Sequence, residues 1–209
     1  DLGTAPLFVD YPFYFARDFT IETWVYLEGD AAAQGSFLKG YSPWPPTLPT
    51  TERKAYDLGV TVITNADTSI VETVPYAGVH SLGGKWYQAS ATRTLPRNRW
   101  VHLAATFKHG GPGEGNGLSL YVDGTLVQTR QDIQEGYGGY LLETWGTSAG
   151  GPASTIAIGA GVNFANRLWL DECRIWGVER TRAELAGNRD VLLQNRQVST
   201  LDGQELNSS

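Results

Sequence analysis

The feature that most constrains this chain is a succession of short runs of β-branched and aromatic residues, interrupted by Gly, Pro, Asn and Asp. The runs read FTIETWVYL (19–27), SFLKGY (36–41), YDLGVTVIT (56–64), KWYQASATRT (85–94), WVHLAATFK (100–108), LSLYVDGTLVQTR (118–130), TIAIGAG (155–161) and LWLDECRIWG (168–177). Such residues suit a pleated, half-buried surface, and no long 3.6-residue periodicity competes with them. The fold class expected is all-β. One short helical turn is predicted near residues 181–186, in RTRAELAG, where Thr181 caps a first turn holding Glu184. Asp123-Gly124, lying between two alternating apolar runs, predicts a two-residue hairpin, because a type I′ turn needs positive φ at both central positions.

Many short strands must pack as two sheets or close as a barrel, since open edges invite aggregation. A chain of 209 residues can bury about 70% of its unfolded surface, enough for one domain, and no linker divides it. The count of strands favours a two-sheet antiparallel β-sandwich of jelly-roll type over the immunoglobulin type, whose Cys, Trp, Cys pattern is missing. In FTIETWVYL, Phe19, Ile21, Val25 and Leu27 share one face while Glu22, Trp24 and Tyr26 share the other. Neither face is fully polar, so the second is expected to be partly covered or to form a binding surface.

Charge narrows the partners. The net charge is -6 and no run of Lys or Arg occurs, which argues against nucleic acid and anionic membrane surfaces. No stretch approaches the roughly 20 apolar residues of a spanning helix, so no membrane insertion is expected. The one cysteine, Cys173, excludes an internal disulfide and is expected to be buried among its Trp, Ile and Leu neighbours. The chain begins at Asp1 and holds no Met, so residues 1–209 are expected to be a single domain cut from a larger multidomain protein, with 195–209 as a flexible tail.

Three stretches differ from the rest: proline-rich GYSPWPPTLPTTERK (40–54), glycine-rich KHGGPGEGNG (108–117), and EGYGGYLLETWGTSAGGPAS (135–154), which mixes aromatics with glycines. Long connections without structure of their own are usually functional or mobile. Exposed aromatic faces stack on the C–H surface of pyranose rings. Tyr41, Trp44, Tyr137, Tyr140 and Trp145 are therefore the candidate ligand-binding residues, whereas Trp24, Trp100 and Trp176, inside strand motifs, are expected in the core.

The ordered succession FTIETWVYL, RWVHLAATFK, LSLYVDGTLV, IAIGAG and LWLDECRIWGVERTRAEL resembles the laminin-G-like, concanavalin A-like lectin-glucanase jelly-roll domains, over residues 19–185. The resemblance implies two curved antiparallel sheets, a ligand site on the concave face or its rim loops, and a structural calcium near one sheet edge. Asp171 matches the position of a family calcium ligand, with Asp10 or Asp18 as its partner. Relatives include polysaccharide hydrolases and lyases, so fold does not fix function. The usual closing strand is not recognisable in VLLQNRQVSTLDGQELNSS.

Catalysis finds little support in the residues. A glycosidase needs two carboxylates about 5 to 10 Å apart, and the Glu-x-Asp-x-x-Glu cluster that the resemblance implies for hydrolases of this fold is not present. Asp171 and Glu172 are adjacent and should point to opposite faces. His102 reads as a hydrogen-bonded core or rim residue rather than a base, and Arg174, Arg180 and Glu179 read as surface ion pairs. The expected protein is a non-catalytic carbohydrate- or glycoprotein-binding module, secreted or at the cell surface, not an enzyme. The alternatives are a structural or adhesive protein–protein interaction domain, and a polysaccharide hydrolase or lyase of the same fold.

Overall fold

The computed structural model describes residues 7–11, 18–41, 54–64, 70–80, 85–110, 116–133, 154–159, 161–162 and 167–190. In chain order the strands are β1 (Leu7–Tyr11), β2 (Phe19–Leu27), β3 (Gln34–Tyr41), β4 (Lys54–Thr64), β5 (Val71–His80) and β6 (Trp86–Ser90). They continue with β7 (Trp100–Lys108), β8 (Asn116–Val122), β9 (Thr125–Ile133), β10 (Ser154–Ile158), β11 (Gly161–Val162) and β12 (Leu168–Trp176). One helix, α1 (Arg182–Asn188), follows.

The strands form a two-sheet antiparallel sandwich. A seven-stranded sheet runs β1-β10-β3-β4-β5-β6, with β11 also on β3, and a five-stranded sheet runs β12-β2-β7-β8-β9. Alternation decides the inner faces: Phe19, Ile21, Val25 and Leu27 of β2 meet Leu38, Tyr56, Leu58 and Val60 of the opposite sheet in one buried cluster. Phe19 joins the layers directly, stacked on Phe107 at 5.4 Å and tilted against Tyr56 at 5.6 Å. Full burial of each such side chain contributes about 1.5–3 kcal/mol.

Two strands lay outside the sequence expectation. In β5 the run VETVPYAGVH hides behind Pro75. Proline is tolerated here because a strand residue's N–H and C=O point to the same side, and the Pro75 carbonyl accepts from Ala91 just past the end of β6. Its missing donor thus faces a ladder that has already ended. At the other margin, β1 pairs with β10 through Leu7↔Ile158 to Tyr11↔Ser154 and holds the edge of the larger sheet. Residues 195–209, expected as a tail, lie outside the described residues.

The hairpin and the helix cap form as their residues dictate. Asp123 and Gly124 adopt φ of 50° and 72°, the double positive of a type I′ turn. Thr181 caps α1 reciprocally: Glu184 N–H donates to Thr181 Oγ1 at 3.3 Å and Thr181 N–H donates to Glu184 Oε2 at 2.7 Å. The Thr181 N–H and hydroxyl, both donating to Oε2, hold the Glu184 carboxyl below its ordinary pKa.

Candidate functional site

The outer face of the five-stranded sheet is built in rows, because the antiparallel register aligns residues from neighbouring strands. The first row is Trp169, Tyr26 and Trp100. Tyr26 meets Trp169 edge-on at 5.2 Å and Trp100 at 5.7 Å, and Trp100 is 42% exposed. The second row is Asp171, Trp24 and His102. The third is Arg174, Glu22, Ala104 and Tyr121, and α1 covers it by packing Leu185 against Ala104 and Tyr121.

Under the helix lies a buried charge centre. Glu22 is 1% exposed, and its carboxylate faces His102 Nε2 at 3.1 Å, Trp176 Nε1 at 2.7 Å, Arg180 Nη1 at 3.5 Å and Arg174 Nη1 at 3.8 Å. Burial works to raise the Glu22 pKa, but donors from His102 and Trp176 and the charges of His102 and Arg180 outweigh it and hold the carboxyl below its ordinary value. Arg174 and Arg180 are thus buried and converge on Glu22, not the surface pairs expected. Glu179 instead approaches Lys108 at 3.7 Å. His102, 1% exposed, is a hydrogen-bonded interior residue.

Beside this centre the sheet opens into a cleft of about 300 Å³. Its floor is Trp24 and Trp100, one wall is Asp171, Glu172 and Arg174 of β12, and the other is Arg189 and Asp190 after α1. The expected separation of Asp171 and Glu172 fails because β12 carries a bulge between Asp171 and Arg174. Glu172 takes φ 49°, a left-handed conformation that re-aims the chain so that both acids border one cleft. Asp171 Oδ1 accepts the Glu172 N–H at 2.8 Å and steadies that turn.

Both cations of the cleft are occupied. Arg174 Nε and Nη2 donate to Glu172 Oε2 at 3.0 and 2.9 Å, and its Nη1 donates to the Asn188 carbonyl at 3.0 Å. Arg189 Nη1 donates to the Asp123 carbonyl at 2.9 Å and its Nε to Asp190 Oδ2 at 3.3 Å. Trp24 Nε1 donates to the Arg189 carbonyl at 3.0 Å, tying the helix end to the cleft floor.

Several expected placements change. Trp24, Trp100 and Trp176 lie on the outer face, not in the core, because they share the alternation phase of Thr20, Glu22 and Tyr26. Cys173 is exposed as a residue, not buried, but its sulfur is tucked 3.3 Å from the buried Thr23 Oγ1, where desolvation, with Asp171 and Glu172 nearby, raises the thiol pKa. Trp44, Tyr137, Tyr140 and Trp145 lie outside the described residues, and of Tyr41 only the backbone at the end of β3 is described.

Of the acids assigned to calcium, Asp18 and Asp171 are not brought to one site, and the side chain of Asp10 lies outside the described residues. Asp171 pairs in register with Trp24, six residues and about 20 Å along β2 from Asp18. Asp18 Oδ1 accepts the His109 N–H at 2.8 Å. Asp10 belongs to the other sheet, opposite Thr155. Among the described residues no three His, Cys, Asp or Glu side chains gather as metal ligands, so Asp18 and Asp171 do not fit a shared calcium site.

Known proteins share this architecture. A native heptameric pentraxin from Limulus polyphemus superposes with TM-score 0.55 over 90% of this chain and 77% of its own, at 10% identity. The botulinum neurotoxin serotype D ligand-binding domain, solved in complex with N-acetylneuraminic acid, does so with TM-score 0.58 over 96% of this chain and 43% of its own, at 13% identity. The binding domain of botulinum neurotoxin DC, in complex with SialylT, gives TM-score 0.57 over 96% and 42%, at 13% identity. The chain thus spans less than half of the toxin domains, and the likeness is one of fold. No curated protein matches it by sequence. The laminin G family model described as the concanavalin A-like lectin/glucanases superfamily matches residues 8–186, and with the two-sheet sandwich this shows that the chain belongs to that superfamily.

Proposed function

We propose that this chain is a non-catalytic carbohydrate- or glycoprotein-binding module of a larger secreted or surface protein, and that the cleft beside Trp100 takes part in binding. The observation that carries the reading is the open aromatic row Trp169, Tyr26 and Trp100 next to a cleft with carboxylate walls. Indole faces stack on sugar rings while carboxylates accept from hydroxyls, so the chemistry of a saccharide is matched on both counts. The sialoglycan-bound toxin domains support the class of ligand through fold alone.

The loop aromatics Tyr41, Trp44, Tyr137, Tyr140 and Trp145 stay in the reading as candidate ligand-binding residues. A glycan array probed with the wild type, Trp100→Ala, and the double variant Trp44→Ala with Trp145→Ala separates the two sets of residues. Loss of signal in Trp100→Ala is the expected result. Silence of the wild type on every glycan, with tight capture of a protein partner, would favour the adhesive alternative. Repeating the array with a chelator tests calcium, which the family resemblance allows.

A further inference from the structure

Most of the free hydrogen-bonding groups of the cleft are acceptors. Arg174 is buried and donates to Glu172 and the Asn188 carbonyl, while Arg189 gives Nε to Asp190 and Nη1 to the Asp123 carbonyl and keeps Nη2. The acids, by contrast, keep oxygens in reserve. Asp171 is exposed and uses only Oδ1, Glu172 uses only Oε2, and Asp190 uses only Oδ2, among the described residues. Three carboxylates against two guanidinium groups leave the cleft acceptor-rich and one negative charge in excess.

A ligand entering here therefore meets more acceptors than donors. An anionic sugar would meet three carboxylates and only the Nη2 of Arg189, and like charges brought together in a partly desolvated site repel. A protonated amine has three donors and a positive charge, and indole faces attract cations as well as C–H surfaces. We infer that the cleft selects saccharides bearing a free amine, a hexosamine ring lying on Trp100 with its ammonium against Asp171, and that it rejects acidic sugars. This inference rests on the carbohydrate-binding reading and specifies its ligand class. It also sets the cleft apart from the sialic acid ligand of the toxin domain with the same fold.

The test uses the full chain in calorimetric titrations with glucosamine oligomers, N-acetylglucosamine oligomers of equal length, oligogalacturonate and oligolysine. Glucosamine oligomers should bind at least about tenfold more tightly than their acetylated counterparts, the worth of one charge-assisted hydrogen bond. Asp171→Asn, which keeps an acceptor for the Glu172 N–H, should erase that difference, while Trp100→Ala should weaken both ligands. Circular dichroism of each variant checks folding. Equal affinity for amine and acetylated oligomers, or preference for oligogalacturonate, overturns the inference and leaves the carbohydrate reading standing. Oligolysine binding as tightly as glucosamine overturns it too, by removing the need for a ring. No saccharide binding at all overturns both.

Discussion

Glu22 is the residue on which the covered half of the outer face depends. One carboxylate faces a histidine, an indole N–H and two guanidinium groups, all brought in by strand register and by the chain after β12. Removing one partner of a buried ionic group leaves the others uncompensated, at a cost of about 3–5 kcal/mol. Glu22→Gln should accordingly lower the urea-unfolding free energy by about 3 kcal/mol, and a change below about 1 kcal/mol would show that Arg174 and Arg180 are satisfied elsewhere. At this scale the sequence was readable only in part. The alternation in FTIETWVYL sets Glu22, Trp24 and Tyr26 together, but the same pattern places Glu22 with equal ease in solvent or under a helix. What lies above a strand face is not encoded in that strand. Glu172 shows the reverse limit: strict alternation separates it from Asp171, and one bulge undoes the separation.

Among the elements, the β8–β9 hairpin and α1 hold each other. The Asp123 carbonyl accepts from Arg189, its Oδ1 accepts the His102 N–H at 3.0 Å, and Gly124 lies against Ala186 of the helix. A Cβ at Gly124 would sit 3.0 Å from Ala186 Cα and Cβ, on a backbone with φ of 72°. Gly124→Ala should therefore destabilise by about 1–2 kcal/mol from the left-handed conformation alone, and more if the helix is displaced. Gly117→Ala, where a Cβ meets nothing within 4 Å, is the control and should change the thermal midpoint little. Equal effects of the two substitutions would contradict the turn–helix contact. Most elements were legible, because β2, β7 and the Asp123-Gly124 turn follow from local chemistry. The strand β5 was not, since the permission for Pro75 comes from where its neighbour β6 ends.

For the whole molecule, the buried charge centre predicts how stability responds to acid. The Glu22 carboxyl has its pKa lowered from 4.5 by folding, so the unfolded chain takes up its proton first as pH falls. The stability it supplies is complete above that value and is lost as pH drops through the depressed folded pKa. Urea midpoints should hold from neutral pH to about the ordinary carboxyl range and then decline, with a shallower decline in Glu22→Gln. An identical acid response in the variant would mean that other carboxylates govern the transition.

The sequence by itself determined the class of fold, most strand positions, the hairpin turn and the capped helix. Each of these depends on side-chain alternation, backbone φ preference or a local hydrogen bond within a few residues. Tertiary structure alone decided which face of each sheet stays open, that three strand tryptophans lie outside the core, and that Asp171 borders a cleft while lying far from Asp18. Those outcomes depend on register between strands distant in sequence, on one bulge and on where α1 settles, and no short-range pattern carries that information.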